Sequence, residues 1–246
     1  MALSSEALKL AKASMRKSVA EQLSQMAPID RANQSDQVVR RILSSRAFDS
    51  ARRVSVYLST PEELCTDRIV EAGLAAGKAI FVPQYGKHLK HGMEMLRLYS
   101  LEDFRSLSLT RWNIRQPALQ NSEARENALA GLEDESVSVA RAPAPSSPDV
   151  ARGLDLILVP GVAFTRCGLR LGHGMGYYDS YLKRWKAASA RLVQLDPNRP
   201  ASPRPLAVGL CFTQQLRDVT ELPVGPLDVP LDAVLYPDAP PNQLFD

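Results

Sequence analysis

The spacing of apolar positions switches between helical and extended several times along the chain. Apolar residues recur every three or four positions in the first part, and Pro28 is predicted to end that run. Asp30 is predicted to cap the helix that follows, as are Asp67 and Ser100 for two later helices. Helices are predicted over about 8–26, 30–43, 67–77, 100–104 and 177–184.

Continuous apolar runs between turn residues predict buried strands over about 53–58, 79–83, 155–161 and 206–212. Period-two alternation over 93–99 predicts an antiparallel edge strand. Because strands and helices alternate, the predicted fold is α/β, with an open, mostly parallel, mixed sheet. Helices cover both faces of that sheet in a Rossmann-like three-layer arrangement.

The chain length favours one domain. With 246 residues and 27.0 kDa, residues 1–246 are expected to form a single unit with a full core. From about 119 to 152 the composition shifts to Ala, Ser, Glu and Pro. Such a stretch holds too little apolar surface to offset the entropy of ordering, so a largely disordered surface insert is predicted there.

Charge and cysteine content exclude several classes of protein. A formal net charge of +3 is too small to indicate nucleic-acid or membrane binding, although it suits small anionic substrates. Cys65, Cys167 and Cys211 are odd in number and widely spaced, which indicates neither disulfides nor a zinc site and favours a reducing compartment. No apolar run approaches the roughly 20 residues of a membrane span. A cytoplasmic protein is predicted, and basic residues near the amino terminus leave a mitochondrial address open.

Candidate chemistry concentrates where the apolar run 155–161 ends and a glycine-rich loop follows. Gly172, Gly174 and Gly176 alternate directly before a predicted helix, so backbone N–H groups and the helix N-terminus can converge on an anion. The glycines alone fit a flexible turn equally well, and it is the flanking Arg170 and Tyr-Tyr-Asp that favour a ligand. The spacing matches neither a dinucleotide fingerprint nor a P-loop.

This segment resembles the 5-formyltetrahydrofolate cyclo-ligases, also called methenyltetrahydrofolate synthetases. The resemblance lies in a strand ending Pro-Gly followed by Gly-x-Arg-Leu-Gly-x-Gly-x-Gly-Tyr-Tyr-Asp at 168–179. It implies ATP-dependent conversion of 5-formyltetrahydrofolate to 5,10-methenyltetrahydrofolate, with release of ADP and phosphate and with Mg²⁺ as cofactor. A monomer that binds these two substrates is expected.

The resemblance also implies roles for individual residues. Lys12 and Arg16 would reach ATP phosphates, although their row on the first helix would by pattern alone be a solvated face. Further ATP contacts are implied for Arg170, Leu171, Gly172, His173, Gly174, Met175, Gly176, Tyr177 and Tyr178. The implied substrate-binding residues are Leu58, Glu63, Trp112, Tyr177 and Tyr178. Catalytic roles are implied for Glu63, Arg170 and Tyr177.

Asp179 and Asp232 are the carboxylates implied for magnesium, and a helix cap is the alternative role for Asp179. Four positions depart from the family pattern, namely His173, Met175, Thr165 and Arg115. Those departures keep open a catalytically impaired homologue that binds folate or nucleotide as a regulator. A nicotinamide-dependent oxidoreductase is disfavoured because the glycine spacing is wrong.

Overall fold

The structure is a computed structural model that describes residues 4–86, 89–110, 114–118, 124–130, 132, 153–195 and 205–240. Within these ranges the helices are α1 (Ser5–Ser24), α2 (Pro28–Leu43), α3 (Arg46–Ser50), α4 (Asp67–Ala75), α5 (Leu101–Arg105) and α6 (Tyr177–Leu195). The strands are β1 (Arg53–Ser55), β2 (Ala79–Tyr85), β3 (Met93–Leu98), β4 (Ser108–Leu109), β5 (Arg115–Gln116), β6 (Leu156–Val159), β7 (Ala163–Phe164), β8 (Arg170–Leu171), β9 (Leu206–Leu210) and β10 (Ala233–Leu235).

Among the described residues, one six-stranded sheet runs in the order β10, β9, β6, β1, β2, β3. All neighbouring strands pair in parallel except β2 and β3, which are antiparallel. Every residue of β6 and β9 is buried, as expected for a parallel sheet covered on both faces. The predicted α/β fold is confirmed, and so is the antiparallel strand at the sheet edge.

Helices lie on both faces of the sheet. Ile80 and Tyr85 of β2 point to opposite faces, since side chains alternate along a strand. Helix α4 packs on the face of Ile80, whereas Tyr177 of α6 meets Tyr85 on the other. At its far end α6 is tied to the start of β6, because the Trp185 indole donates to the Leu154 carbonyl at 3.2 Å. Helix α6 therefore runs back from the carboxyl ends of the strands.

Two helix starts differ from the sequence prediction. Asp30 does not cap α2, which begins at Pro28 with Ala27 at the N-cap position. Proline suits the first helical position because its fixed φ is already helical and its missing N–H is not needed there. Helix α4 begins at Asp67, and Thr66 occupies its N-cap position without a capping hydrogen bond. The predicted Ser100 cap of α5 is confirmed by a bond from the Asp103 N–H.

Part of the stretch expected to be a disordered insert packs against the sheet. Residues 124–130 run along the free edge of β3, where the Arg97 N–H donates to the Glu126 carbonyl and the Ala128 N–H to the Met95 carbonyl, both at 2.9 Å. Ala128 is buried. An exposed strand edge presents unpaired backbone groups, and this segment satisfies them. These residues are ordered parts of the predicted insert, and most of the rest of the stretch 119–152 lies outside the described residues.

A buried ion network holds that segment in place. The Arg53 side chain is 2% exposed, donates to the Gly153 carbonyl at 2.7 Å and pairs with Glu126 at 2.6 Å. The second carboxylate oxygen of Glu126 pairs with Arg97 at 2.7 Å. One carboxylate thus neutralises arginines from β1 and β3.

We expect Glu126→Ala to lower the free energy of unfolding by about 3 to 5 kcal/mol, because it leaves the buried Arg53 charge without its partner. Urea denaturation of both proteins measures the difference. Glu21→Ala is the control, since Glu21 belongs to an exposed pair with Lys17 and its loss should cost less than about 0.5 kcal/mol. Equal effects of the two substitutions would contradict the role of the network.

Candidate functional site

The glycine-rich loop 172–176 lies between β8 and α6, beyond the carboxyl end of β6. A Cβ at Gly172 would lie 2.7 Å from Nη1 of Arg170, so no larger residue fits without displacing that side chain. Gly174 has a φ of +106°, which favours glycine. The loop leads directly into α6, whose first-turn N–H groups and dipole favour an anion at this place.

Helix α1 brings two cations to the neighbourhood of this loop. The Arg16 Nε donates to the Gly172 carbonyl at 2.8 Å, and the guanidinium lies about 3.4 Å from the point where a Cβ of Gly174 would stand. One turn earlier, the Lys12 ammonium is 2.5 and 2.7 Å from the carboxylate oxygens of Asp228. Helical spacing places both side chains on one face, so α1 presents two positive groups towards the loop and its surroundings.

Arg170 is the buried cation at the centre of the site. Its side chain is 3% exposed, donates to the Pro160 carbonyl at 3.3 Å and pairs with Asp179 at 2.8 Å. The other carboxylate oxygen of Asp179 accepts the Val229 N–H at 3.0 Å. Asp228, the partner of Lys12, directly precedes Val229 and is thereby held beside Asp179.

Asp228, which no sequence pattern indicated, lies beside Asp179 in place of the predicted Asp232. Asp228 and Asp232 lie four residues apart in one short segment, and the backbone carries their side chains to different places. One carboxylate oxygen of Asp232 accepts the Ala207 N–H at 2.8 Å, near the start of β9. The glycine-rich loop follows the opposite, carboxyl ends of the strands. The structure therefore does not bring Asp232 together with Asp179, and it places Asp228 there.

Glu63 lies in the loop after β1 and is partly buried. Its Oε2 accepts the Thr60 N–H at 2.9 Å. Burial of the carboxylate is the main cause that raises the pKa of Glu63, while the hydrogen bond from Thr60 and the charge of His173 act in the opposite direction. Leu58, at the beginning of the Glu63 loop, is buried.

Three tyrosines, Tyr57, Tyr85 and Tyr178, have pKa values raised above the ordinary phenol value mainly by burial. The charge of Glu63 is a smaller effect that raises each pKa further. The ring centroids of Tyr85 and Tyr177 are 5.4 Å apart with the planes tilted by 38°. The rings of Tyr85 and Tyr177 form an aromatic side of the site next to the loop.

Tyr85 was missed because the predicted strand stopped at 83, whereas β2 continues to Tyr85. Gly92, at the start of β3, lets the Tyr177 ring approach, since a Cβ there would lie 2.7 Å from that ring. Of the remaining predicted residues, Leu171 is buried in the core and Met175 is 68% exposed. Trp112 lies outside the described residues.

No cluster of three or more His, Cys, Asp or Glu side chains suited to a metal is found in the described ranges. Magnesium does not require such a cluster, because it commonly takes one or two carboxylates and completes its shell with phosphate oxygens and water. Asp179 and Asp228 supply oxygen ligands of that kind beside the glycine-rich loop. The residues present therefore fit a magnesium ion that arrives with a phosphate group.

A mostly parallel sheet with a glycine-rich loop beyond its strand ends defines the class of α/β proteins that bind ligands at this edge. Comparison of the chain with known proteins identifies one family within this class. The model of the 5-formyltetrahydrofolate cyclo-ligase family matches residues 8–133 and 127–237. The 5-formyltetrahydrofolate cyclo-ligase of Mus musculus is 32% identical over 94% of this chain and 95% of its own. The probable 5-formyltetrahydrofolate cyclo-ligase of Caenorhabditis elegans is 32% identical over 94% of each.

A solved structure has the same fold. The NMR structure of Aquifex aeolicus 5,10-methenyltetrahydrofolate synthetase matches with a TM-score of 0.60 at 23% identity, covering 94% of this chain and 95% of that one. The chain belongs to the 5-formyltetrahydrofolate cyclo-ligase family, whose members are enzymes. In the part of the chain that the structure describes, no helix has the length and apolarity of a membrane span.

We expect Glu63→Gln to raise the free energy of unfolding relative to the wild type, and to raise it more at pH 7.5 than at pH 4. The pKa of Glu63 is raised in the folded state, so its contribution to stability is fully present below the unfolded pKa and is lost as pH rises through the folded value. Glutamine keeps the acceptor for the Thr60 N–H and removes the charge. Urea denaturation at both pH values measures the free energy of unfolding.

The exposed neighbour Glu62 provides the control, because Glu62→Gln removes a charge that is already solvated. The gain in stability from Glu63→Gln should grow between pH 4 and pH 7.5, whereas that from Glu62→Gln should stay nearly constant. A Glu63→Gln effect of the same size at both pH values would show that burial does not disfavour the carboxylate.

Proposed function

We propose that this protein converts 5-formyltetrahydrofolate to 5,10-methenyltetrahydrofolate in an ATP- and Mg²⁺-dependent reaction that releases ADP and phosphate. The relatives whose names carry the cyclo-ligase activity match nearly the whole chain. The observation that carries the proposal is the position of the loop 172–176. Arg16 donates to the Gly172 carbonyl of this loop, and Tyr177, directly after the loop, packs against Tyr85. One loop thus stands between a phosphate-type site and a site for a polar heterocycle.

The reaction needs an activated formyl group. The formyl oxygen attacks the γ-phosphorus of ATP, so a new P–O bond forms and ADP leaves. N10 of the folate then attacks the formyl carbon and loses its proton, the ring closes, and the C–O bond breaks as phosphate leaves. Such transfer depends mainly on positioning and on neutralising charge, which cations and backbone N–H groups provide.

The cations would hold the triphosphate. Arg16, already on the Gly172 carbonyl, offers further guanidinium N–H groups at the loop. Lys12 would exchange its bond to Asp228 for a phosphate oxygen. Arg170, fixed by Pro160 and Asp179, would keep the loop in shape and contribute positive charge as phosphate is transferred.

Asp179 and Asp228 would hold the magnesium ion, which would neutralise charge on the phosphates and orient them when bound. Asp179 alone carries over from the pair expected from the sequence. Their present partners are an arginine, a lysine and two backbone N–H groups, and each of these interactions indicates a place where negative charge concentrates.

The aromatic side of the site would bind the reduced pterin. Tyr177 and Tyr85 offer ring faces, Leu58 an apolar contact, and Tyr178 a buried hydroxyl near them. Glu63 would hydrogen-bond the pterin nitrogens or the formyl group. Trp112 as a substrate contact, a monomeric state and a cytoplasmic location stay predictions.

Incubation of the purified protein with 5-formyltetrahydrofolate tests the proposal through the absorbance of the methenyl product. The signal should require both ATP and Mg²⁺ and should be absent when either is left out. Substrate binding without turnover would instead favour the regulatory homologue. Binding of reduced dinucleotide would favour the oxidoreductase.

We expect Lys12→Ala to raise the KM for ATP about 10- to 100-fold, the range for loss of a hydrogen bond to a charged group of about 1.5 to 3 kcal/mol. The KM for the folate should change much less. Steady-state kinetics with each substrate varied in turn measures the two effects, and a thermal melt verifies that the variant is folded.

The matched control is Lys9→Ala, which removes an exposed lysine of the same helix. Lys9→Ala should leave both KM values within about twofold. Equal ATP kinetics for the two variants would return Lys12 to a purely structural ion pair with Asp228.

A further inference from the structure

The loop that carries Glu63 is closed by two buried side-chain hydrogen bonds. Thr66, just after the loop, donates its hydroxyl to the Tyr57 carbonyl at 2.6 Å. Tyr57, just before the loop, donates its hydroxyl to the Leu64 carbonyl at 3.3 Å. All three residues are buried, with Thr66 fully enclosed. Because these hydrogen bonds are buried, water does not compete for them, and they hold the two ends of the loop together.

The inside of the loop is also fixed. The Glu63 N–H donates to the Thr60 carbonyl at 3.1 Å, and the Thr60 N–H returns a bond to the Glu63 carboxylate at 2.9 Å. From outside, Arg31 donates to the Glu62 carbonyl at 3.1 Å. The orientation of the Glu63 carboxylate therefore depends on the path of the loop backbone, and that path is set where the loop closes.

Thr66 is used in an unusual way. It occupies the N-cap position of α4, where a threonine hydroxyl ordinarily accepts an N–H from the first turn. Here it makes no such bond and points its hydroxyl to Tyr57 instead. Helix α4 therefore has no side-chain cap, and the two ends of the loop are joined by a buried hydrogen bond from Thr66 to Tyr57, which we call the tie.

We infer that Thr66 and Tyr57 are positioning residues for the formylated substrate, acting through the placement of the Glu63 carboxylate. This inference rests on the proposed function and adds to it, because neither side chain has a role in the chemistry proposed above. Small displacements of a catalytic or binding group reduce turnover strongly, so a loop without its tie loses binding of one substrate more than it loses stability.

Two substitutions at Thr66 separate the hydroxyl from the shape of the side chain. Thr66→Val keeps the branched shape and removes the donor to the Tyr57 carbonyl, whereas Thr66→Ser keeps the donor. We expect Thr66→Val to lower kcat/KM for 5-formyltetrahydrofolate by about 10- to 100-fold. The KM for ATP should stay within about twofold, and Thr66→Ser should restore most of the activity. Tyr57→Phe should act in the same direction and more weakly, since its bond is longer.

Ser45→Ala is the matched control for a loss of buried hydrogen bonds elsewhere. The Ser45 hydroxyl is buried, donates to the Ile42 carbonyl at 2.6 Å and accepts the Phe48 N–H at 3.1 Å. It joins α2 to α3 and belongs to no part of the site. We expect Ser45→Ala to lower the melting temperature as Thr66→Val does, with the kinetics for both substrates unchanged.

The possible outcomes are distinct. A selective loss for the folate substrate in Thr66→Val, with rescue by serine, supports the inference. If Thr66→Val melts earlier but keeps wild-type kinetics, or if both KM values rise together, the tie is structural only and the inference is wrong. If the wild-type protein shows no ATP-dependent turnover, the proposed function fails, and the inference falls with it.

Discussion

The site depends on one buried ion pair, that of Arg170 with Asp179. The pair joins the end of β6 to the first turn of α6, because Arg170 also donates to the Pro160 carbonyl and Asp179 lies in that turn. Asp179 also accepts the Val229 N–H, so the segment around Val229 is attached to the same pair. A buried arginine requires its partner, since the desolvated charge is otherwise uncompensated. The pair determines which residues can surround it. Gly172 must lack a side chain, as any Cβ would meet the guanidinium.

Local patterns predicted much of this arrangement. The apolar run 155–161 predicted a buried strand that stops at Pro-Gly, and β6 ends at Val159 as that requires. The alternating glycines predicted a loop before a helix, and α6 begins at Tyr177 directly after Gly176. These features are encoded within a few residues of where they act, because chain termination, turns and helix starts are local effects.

Features that depend on contacts between residues far apart in the sequence were not predicted. Asp228 and Asp232 have equivalent surroundings in the sequence, and only the pairing of β10 with β9 turns Asp232 towards the Ala207 N–H. The segment 124–130 has the composition of a surface loop, yet the free edge of β3 and the buried Arg53 both need what it offers. In each case a residue remote in sequence determines where the side chain or segment lies, and local spacing of residues holds no information about that contact.

Glu63 explains why the surrounding loop is held by so many polar contacts. Partial burial costs the Glu63 carboxylate hydration, which raises its pKa and would favour a loop conformation that exposes it to water. The Thr60 N–H and the charge of His173 offset part of this cost, and the tie between Tyr57 and Thr66 restrains the backbone. The same enclosure that destabilises the carboxylate strengthens any hydrogen bond it makes to a ligand, because the local dielectric is low. A group disfavoured in the free protein can thus become strongly attractive once a complementary donor fills the site.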